Sequence, residues 1–297
     1  TCVTASDQSV GKSVREVFQE KEATLQQRYP FWKEAVCPDS LGHLTLDSLD
    51  PKLIAEKADY AISTLGSDIA KHIEPALAVL GVHVFSNASP HRWTVDVPLL
   101  IPEVNYSHLF WVDRQKTSGK LVCNPNCTTA GFVPLLNALM RNGFQIQELT
   151  LVTQQSLSGK GDSISDEHYA KEAVGNVRDD WTKNGYNDEE WKSAMEPMKI
   201  LGRVKSQEDA IRELQRSVRG EPSTIIPIFS QTTRVATQYG HLEYVLVHFK
   251  NTVDANEVAA RLKGYSLSPR LTTLPTTPSS LFVVQENMPE PKQLARL

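Results

Sequence analysis

The stretch DYAISTLGSDIAKHIEPALAVLGVHVFSN, residues 59–87, has the pattern of a strand, a helix and a second strand in succession. The apolar run at 59–64 predicts a strand, and Ser67 is suited to cap a helix over residues 68–80. The run at 82–87 predicts the next strand. A unit of this kind predicts parallel strands joined by a right-handed crossover. The sequence therefore predicts an α/β fold whose ligands bind at the carboxyl ends of the strands.

A cysteine follows a third predicted strand. Residues 119–122 form a short apolar run, Asn124-Pro125-Asn126 predicts a turn, and residues 128–141 have the apolar spacing of a helix. Cys127 then lies in the first turn of that helix, where free backbone N–H groups favour a thiolate. The sequence predicts Cys127 as a nucleophile with a pKa below the usual value of about 8.5. A buried, inert thiol is the structural alternative, and it is the simplest interpretation of Cys123.

The overall composition narrows the function. The chain has 31 basic and 35 acidic residues among 297 and no long basic run, so we expect no nucleic-acid partner. The absence of an 18-residue apolar stretch and of a basic-then-apolar leader predicts neither a membrane span nor a signal peptide. Four scattered cysteines indicate a reducing compartment, and we expect a cytoplasmic protein. We expect no metal site, because Cys123 and Cys127 lack the second close pair that zinc sites use.

The second half of the chain has a different pattern. Apolar residues alternate over 145–155, and residues 239–249 read as one long strand. Asp254 is placed to cap a helix over residues 255–263, with Glu257 in the capping-box position. These features predict an antiparallel α+β region after the parallel sheet.

Several segments occur in an order and spacing typical of one enzyme family. These segments are Ala5-Ser6 with Gly11-Lys12, Ser63-Thr64-Leu65, Ser86-Asn87-Ala88, Asp96–Leu99, Val104-Asn105, Asn124–Cys127, Glu196–Gly202, Arg234-Val235 and Gly240-His241. Together they resemble aspartate-semialdehyde dehydrogenase, in its fungal and archaeal branch, over nearly the whole chain. The resemblance implies a Rossmann-like NADP-binding domain over residues 1–127. It also implies an α+β catalytic and dimerisation domain over residues 128–297.

The resemblance assigns catalytic roles. It implies that Cys127 is the nucleophile, that His241 is its acid/base partner, and that Gln155 orients the bound intermediate. The family reduces L-aspartyl 4-phosphate to L-aspartate 4-semialdehyde through a cysteine thioester, with NADP as cofactor, in lysine, threonine and methionine biosynthesis. We therefore expect a small-molecule substrate and inorganic phosphate as partners, and a homodimer or a dimer of dimers.

The resemblance also implies substrate-binding residues. Arg234 matches the arginine that holds the substrate carboxylate, and Glu196 would hold the amino group. Lys199 would join Arg92 in binding phosphate. We prefer Glu196 and Lys199 because Ile-Leu-Gly follows them, as in the family. An alternative pair has the same spacing: Glu189 and Lys192.

The cofactor site is implied by short segments along the chain. Its expected residues are Ser6, Ser9, Lys12, Ser63, Thr64, Ser67, Ser158 and Gly159. Lys160 places a charge beside the expected nicotinamide position, and residues 162–181 differ from the family pattern. The family's Gly-rich phosphate loop would lie before Thr1 and its closing strand and helix after Leu297, so we expect an incomplete cofactor site. Two other functions stay open: reduction of another acyl phosphate, and a non-catalytic paralogue or fragment that has lost dinucleotide binding.

Overall fold

The structure is a computed structural model that describes residues 3–5, 9–28, 36–156, 159, 188–235, 237 and 240–285. Its strands are β1 (Val3–Ala5), β2 (Leu46–Ser48), β3 (Tyr60–Ser63), β4 (His83–Ser86), β5 (Leu121–Cys123), β6 (Ile146–Gln155), β7 (Ile228–Arg234) and β8 (Leu242–Phe249). Its helices are α1 (Val14–Arg28), α2 (Asp39–Gly42), α3 (Pro51–Lys57), α4 (Ser67–Val79), α5 (Pro102–Asn105), α6 (Cys127–Arg141), α7 (Asp188–Ile200), α8 (Gln207–Val218), α9 (Ala255–Lys263) and α10 (Pro269–Thr272). A 3₁₀ helix covers Tyr106–Arg114.

The predicted parallel sheet is present in the order β3-β4-β5. Helix α4 crosses from β3 to β4, as the strand–helix–strand pattern predicts. The cap of α4 differs from the prediction, because Gly66 is the N-cap residue and Ser67 is the first helical residue. The hydroxyl of Ser67 instead lies 3.0 Å from the hydroxyl of Ser89. A separate parallel pair is formed by β1 and β2.

The second sheet has the order β7-β6-β8 and is mixed. The predicted antiparallel pairing holds for β6 with β8, whereas β6 and β7 are parallel. The chain between β6 and β7 includes α7 and α8, and a crossover of this length lets the second strand return in the same direction. Helix α9 begins as predicted, since the Asp254 carboxylate accepts a hydrogen bond from the Asn256 backbone N–H at 2.9 Å.

One apolar core joins the two sheets. It includes Val84 and Leu121 from the parallel sheet and Leu149 and Leu151 from β6, with Phe132 of α6 in the same cluster. Phe132 is 2% exposed, and truncating a buried side chain of this size typically costs about 3–5 kcal/mol. Helix α6 is therefore anchored between the sheets, and this fixes the position of its first residue, Cys127. Among the described helices, none is long and apolar enough to cross a bilayer.

Candidate active site

The carboxyl ends of three parallel strands meet, as the sequence predicts. The backbone N–H of Asn87 donates to the carbonyl of Ser63 at 2.8 Å, and that of Asn124 donates to Ser86 at 3.0 Å. The side-chain amide of Asn124 also donates to the Asn87 side-chain oxygen at 2.7 Å. These bonds tie the loops after β3, β4 and β5 into one surface beside the N-terminus of α6.

Cys127 is the first residue of α6 and is exposed. Asn126 caps the helix, because its side-chain oxygen accepts a hydrogen bond from the Thr128 N–H at 3.0 Å. Cys123, four residues earlier, is fully buried in the core. Burial, followed by the negative charge of Glu74, raises the pKa of Cys123 to about 12. The two cysteines thus have the different environments that the sequence predicts.

His241 lies directly beside the candidate nucleophile. Its Nε2 atom is 3.0 Å from Cys127 Sγ, although the residues are 114 positions apart in the chain. Its Nδ1 atom lies 3.1 Å from the backbone nitrogen of Ser156. The pKa of His241 is lowered first by burial and then by the positive charge of Arg234. A neutral imidazole next to a thiol is an acid/base pair with a suitable geometry for nucleophilic catalysis.

The resting pKa of Cys127 differs from the prediction. The protein atoms around the thiol displace part of its water, which raises this pKa, and the negative charge of Glu189 adds to the increase. The hydrogen bond from the Thr128 backbone and the charge of Arg234 act in the opposite direction but do not outweigh them. The sequence argument considered only the helix N-terminus. The loss of water around the thiol is the largest opposing cause, and the carboxylate that adds to it comes from α7, more than 60 residues later.

Gln155 and Arg234 form the wall next to this pair. The Gln155 amide donates to Thr128 Oγ1 at 2.8 Å, which links it to the first turn of α6. Its oxygen accepts a hydrogen bond from Arg234 Nη2 at 2.7 Å, and Arg234 Nη1 donates to the Ser156 carbonyl at 2.6 Å. Both side chains are buried. Predicted from widely separated positions, they are brought together by the parallel register of β6 and β7, which pairs Gln155 with Arg234.

The preference for Glu196 and Lys199 as substrate ligands is not supported by the geometry. Glu196 is 1% exposed, and its carboxylate accepts from Arg92 Nη1 at 2.9 Å and from the Asn126 backbone at 2.7 Å. Lys199 Nζ donates to three backbone carbonyls, those of Arg92, Thr94 and Val97, at 2.7 to 2.9 Å. An ammonium has three donors, so these contacts use all of them. Both residues hold the structure together in this state.

In the alternative pair, Glu189 and Lys192, the carboxylate of Glu189 lies near enough to Cys127 to raise the pKa of its thiol. Glu189 accepts hydrogen bonds from the Asn126 side chain at 2.6 Å and from Lys192 at 3.2 Å. Burial opposes ionisation of Glu189, but Lys192 and Asn126 together keep its pKa below the ordinary value. Both pairs lie on α7 at i, i+3, i+7 and i+10, so they share one helix face. Sequence spacing therefore could not decide which pair lies near Cys127. The position of each pair along the helix axis decides it.

Arg92 occupies a buried position next to the same loops. Besides its ion pair with Glu196, its Nη2 donates to the Asn87 carbonyl at 2.8 Å. Its Nε atom is buried and has no hydrogen-bond partner among the described residues. Since Nε is buried, an anion cannot reach it in this arrangement, and the predicted phosphate contact of Arg92 stays a prediction.

The predicted cofactor residues have mixed environments. Ser63 is buried, and its hydroxyl donates a hydrogen bond to the buried Glu74 carboxylate at 2.6 Å. The predicted contact of Ser63 with the cofactor is therefore not supported. Lys12 forms an exposed ion pair with Glu20. Thr64 and Ser67 are exposed on either side of Gly66. Ser9 is described in the turn before α1, whereas Ser6, Ser158, Lys160 and residues 162–181 lie outside the described residues.

The β3–α4 turn fits part of a dinucleotide. Gly66, the N-cap residue of α4, has no side chain to occupy the helix N-terminus, and a Cβ built on it would meet nothing within 4 Å. Free N–H groups at a helix N-terminus with open space in front suit a phosphate. Gly159 instead lies against Arg234 and His241, because a Cβ there would be 3.1 Å from Arg234 Nη1 and 3.2 Å from His241 Cε1.

Comparison with known proteins gives a consistent result. Residues 1–111 match the family model for the NAD binding domain of semialdehyde dehydrogenase. Aspartate-semialdehyde dehydrogenase of Archaeoglobus fulgidus is 32% identical over 260 residues, which cover 86% of this chain and 67% of that protein. The chain belongs to the aspartate-semialdehyde dehydrogenase family. The Aspergillus fumigatus member of this family is 27% identical over 97% of the chain and 74% of its own length.

A second relative has a different named activity, and the solved structures agree on the fold. A malonyl-CoA reductase (NADP) of Metallosphaera sedula is 30% identical over 83% of this chain and 65% of its own length. Aspartate-semialdehyde dehydrogenase from Candida albicans, solved with NADP, superposes with a TM-score of 0.65 at 24% identity. That match covers 90% of this chain and 69% of the other. The family assignment and the fold are therefore established together.

Proposed function

We propose that this member of the aspartate-semialdehyde dehydrogenase family catalyses the NADP-dependent interconversion of L-aspartyl 4-phosphate and L-aspartate 4-semialdehyde. The observation that carries the proposal is the 3.0 Å contact between Cys127 Sγ and His241 Nε2. Gln155 and Arg234 lie beside this pair. The names of the relatives support the substrate, and the NADP named with the Candida albicans structure supports the cofactor.

The proposed reaction uses Cys127 as the covalent centre. Its thiolate attacks the acyl carbon of the substrate, a C–S bond forms, and the C–O bond to phosphate breaks. The bound nicotinamide cofactor supplies the hydride that reduces the resulting thioester. His241 holds a proton at Nε2, within reach of the oxygen attached to that carbon. Release of the aldehyde breaks the C–S bond and returns the thiolate.

Substrate recognition is proposed for residues on β7 and α7. Arg234 offers a planar guanidinium to the substrate carboxylate, and Glu189 offers its carboxylate to the amino group. Lys192 replaces Lys199 as the lysine that joins Arg92 in binding phosphate. Glu189 is ionised in the free protein, as an ammonium partner requires. The residues proposed toward the cofactor are Ser6, Ser9, Lys12, Thr64, Ser67, Ser158 and Gly159.

The exposed face of the second sheet supports a homodimer. Val152, Tyr244 and Leu246 are exposed on β6 and β8, and Phe229 is 60% exposed on β7. Register places Val152 opposite Tyr244, and Thr150 opposite both Leu246 and Phe229, so they form one apolar surface. A second copy of the chain is the proposed partner for this surface. The three described cysteines carry free thiols, which supports the proposed cytoplasmic location.

The division into a cofactor domain, 1–127, and a catalytic domain, 128–297, is part of the proposal. The family match at residues 1–111 supports it. Reduction of another acyl substrate is the second candidate, favoured by the 30% identity to the malonyl-CoA reductase. Glu189 distinguishes the two substrates, because malonyl-CoA has no amino group to pair with this carboxylate.

The test compares two assays. The first measures NADP reduction with aspartate semialdehyde and phosphate, and the second measures NADPH oxidation with malonyl-CoA. We expect activity with the semialdehyde, its loss in Cys127→Ala, and its retention in Cys123→Ala, the matched control. Equal activity in Cys127→Ala and the unchanged chain contradicts the proposed nucleophile. Activity with malonyl-CoA alone selects the second candidate, and the absence of both NADP binding and turnover selects the non-catalytic paralogue.

A further inference from the structure

A cavity of about 220 Å³ lies between the 3₁₀ helix and the turn that follows α7. Its remaining wall is formed by residues 95–99, which follow the loop after β4. Of the described residues that line it, none is proposed above to take part in the reaction. The cavity is therefore a second concave site, separate from Cys127 and His241.

The lining of this cavity combines apolar side chains with positive charge. Most of its side chains are aliphatic or aromatic, and Val95 and Phe110 are 52% and 51% exposed at its opening. The ionisable side chains that line it are His108, Lys199 and Lys205, and no described acidic residue lines it. A concave apolar surface with a few convergent polar groups is typical of a ligand site. The charges of this one favour an anion.

The orientation of the His108 ring is fixed by a buried amide. The Asn105 side-chain oxygen accepts a hydrogen bond from the Ile101 N–H at 2.8 Å, and its nitrogen donates to the Leu99 carbonyl at 2.9 Å. The same amide nitrogen lies 3.0 Å from His108 Nδ1. An amide nitrogen only donates, so Nδ1 accepts and carries no proton.

The other ring nitrogen of His108 is a donor on the cavity side. Burial, and then the positive charge of Lys199, lower the pKa of His108, so the ring is neutral at pH 7 and its single proton is on Nε2. A Cβ built on Gly202 would lie 3.6 Å from Nε2. Gly202 has a φ of +70° and no side chain, so the turn leaves this N–H uncovered.

The two lysines of the lining differ in what they offer a ligand. Lys199 uses its three donors on backbone carbonyls, and burial lowers its pKa to about 8, so it stays charged at neutral pH but acts only through space. Lys205 is exposed, and its Nζ lies 5.9 Å from the centre of the Trp111 ring. An exposed contact of this kind stabilises by only about 0.5–1 kcal/mol. The Lys205 ammonium is therefore available to an anion at the opening.

The walls of the cavity are held in place before any ligand binds. Lys199 fastens the backbone of residues 92–97 to α7, and Asn105 fastens His108 to the chain before the 3₁₀ helix. A site of fixed shape loses little conformational entropy when a ligand enters.

We propose that this cavity binds a small carboxylate with an apolar body. The apolar body lies against Phe110 and Trp111, and the carboxylate accepts the Nε2–H of His108 and pairs with Lys205 at the opening. The volume is below the roughly 300–1,000 Å³ of drug-sized sites, so the ligand is small. This inference goes beyond the proposed function and does not depend on it.

The experiment is a ¹⁹F NMR titration of the protein with 4-fluorophenylacetate, and the uncharged 4-fluorophenylacetamide is the matched probe. We expect the acid to bind at least about tenfold more tightly than the amide, because only the acid forms charge-assisted hydrogen bonds. Lys205→Glu should weaken binding of the acid at least about tenfold, since repulsion replaces attraction. Val95→Trp places a large side chain at the opening and should abolish binding. Lys263→Glu is the matched control, because this exposed lysine of α9 does not line the cavity.

A second readout locates the bound probe. In ¹⁵N-histidine-labelled protein, the Nε2 resonance of His108, assigned by its loss in His108→Gln, should shift when 4-fluorophenylacetate is added. The proposal is overturned if the acid does not bind, if the amide binds equally well, or if binding persists in Lys205→Glu. Loss of binding in Arg234→Lys alone would place the probe at the active site and would also overturn it. If Val95→Trp does not fold, Lys205→Glu and the His108 resonance still decide.

Discussion

Replacing Glu196 by glutamine is expected to destabilise the protein strongly and to affect the chemistry only through the amount of folded enzyme. The carboxylate joins Arg92 to the backbone N–H of Asn126 at 2.9 and 2.7 Å, and all three groups are buried. Glutamine has one acceptor oxygen and no charge, so it cannot serve both donors. The guanidinium of Arg92 then stays buried without its counter-ion.

The magnitude follows from these contacts. Breaking a buried ion pair by removing one partner costs about 3–5 kcal/mol, and domains of ordinary stability unfold with about 5–15 kcal/mol. The substitution therefore removes a large fraction of the total. With a urea m-value of about 1–3 kcal/mol/M, the unfolding midpoint should fall by roughly 1 M or more.

The assay is urea unfolding followed by circular dichroism, with Glu189→Gln as the matched control on the same helix face. Glu189 contacts polar side chains at the opening of the site. We expect Glu189→Gln to reduce kcat/KM with a much smaller shift of the midpoint. The reasoning fails if Glu196→Gln unfolds like the unchanged protein and loses substrate affinity, because Glu196 would then be the substrate ligand that the sequence alone favours.

The alkylation rate of Cys127 should rise about tenfold per pH unit until the pH reaches its pKa, which lies above the ordinary value for cysteine because the neutral thiol is favoured in the free protein. Timed alkylation with peptide mapping measures this rate. Faster labelling of Cys37 or Cys123 contradicts the prediction. Arg234→Lys should lower kcat/KM by roughly ten- to a thousandfold, or about 1.4–4 kcal/mol, since an ammonium cannot make the two-pronged contact; steady-state kinetics with unchanged efficiency would place the substrate elsewhere. Leu246→Asp should weaken self-association by at least about tenfold, measured by analytical ultracentrifugation, with the exposed Val283→Asp as control.

The sequence predicted those parts of the molecule that depend on local pattern. The parallel strands around α4, the turn that presents Cys127 and the capped helix after Asp254 follow from periodicity, glycine positions and capping residues. The contact between Cys127 and His241 could be named only through the family resemblance. The antiparallel region was predicted, but nothing within either segment indicates the register of β8 on β6, which places the first residues of β8 beside α6.

Two features could not be predicted from the sequence. One is a difference in position along a shared helix face, and the other is a balance of opposing effects on a pKa. Glu189 and Glu196 have equivalent helical phase, and their separation by two turns decides which one reaches the opening and which one is buried. The pKa of Cys127 depends on the balance between the α6 N-terminus, which lowers it, and the burial of the thiol and a carboxylate of α7, which raise it. The sequence contains both contributions, but only their distances determine the sign.

Formation of the turn that holds Cys127 depends on a hydrogen bond from the Asn126 N–H to Glu196 of α7. The turn that holds Cys127 is complete only after the last part of α7 has docked, since that carboxylate is its acceptor. A newly made chain in which α7 has not yet packed therefore has a cysteine without its supporting turn. Correct placement of Cys127 therefore depends on the docking of α7.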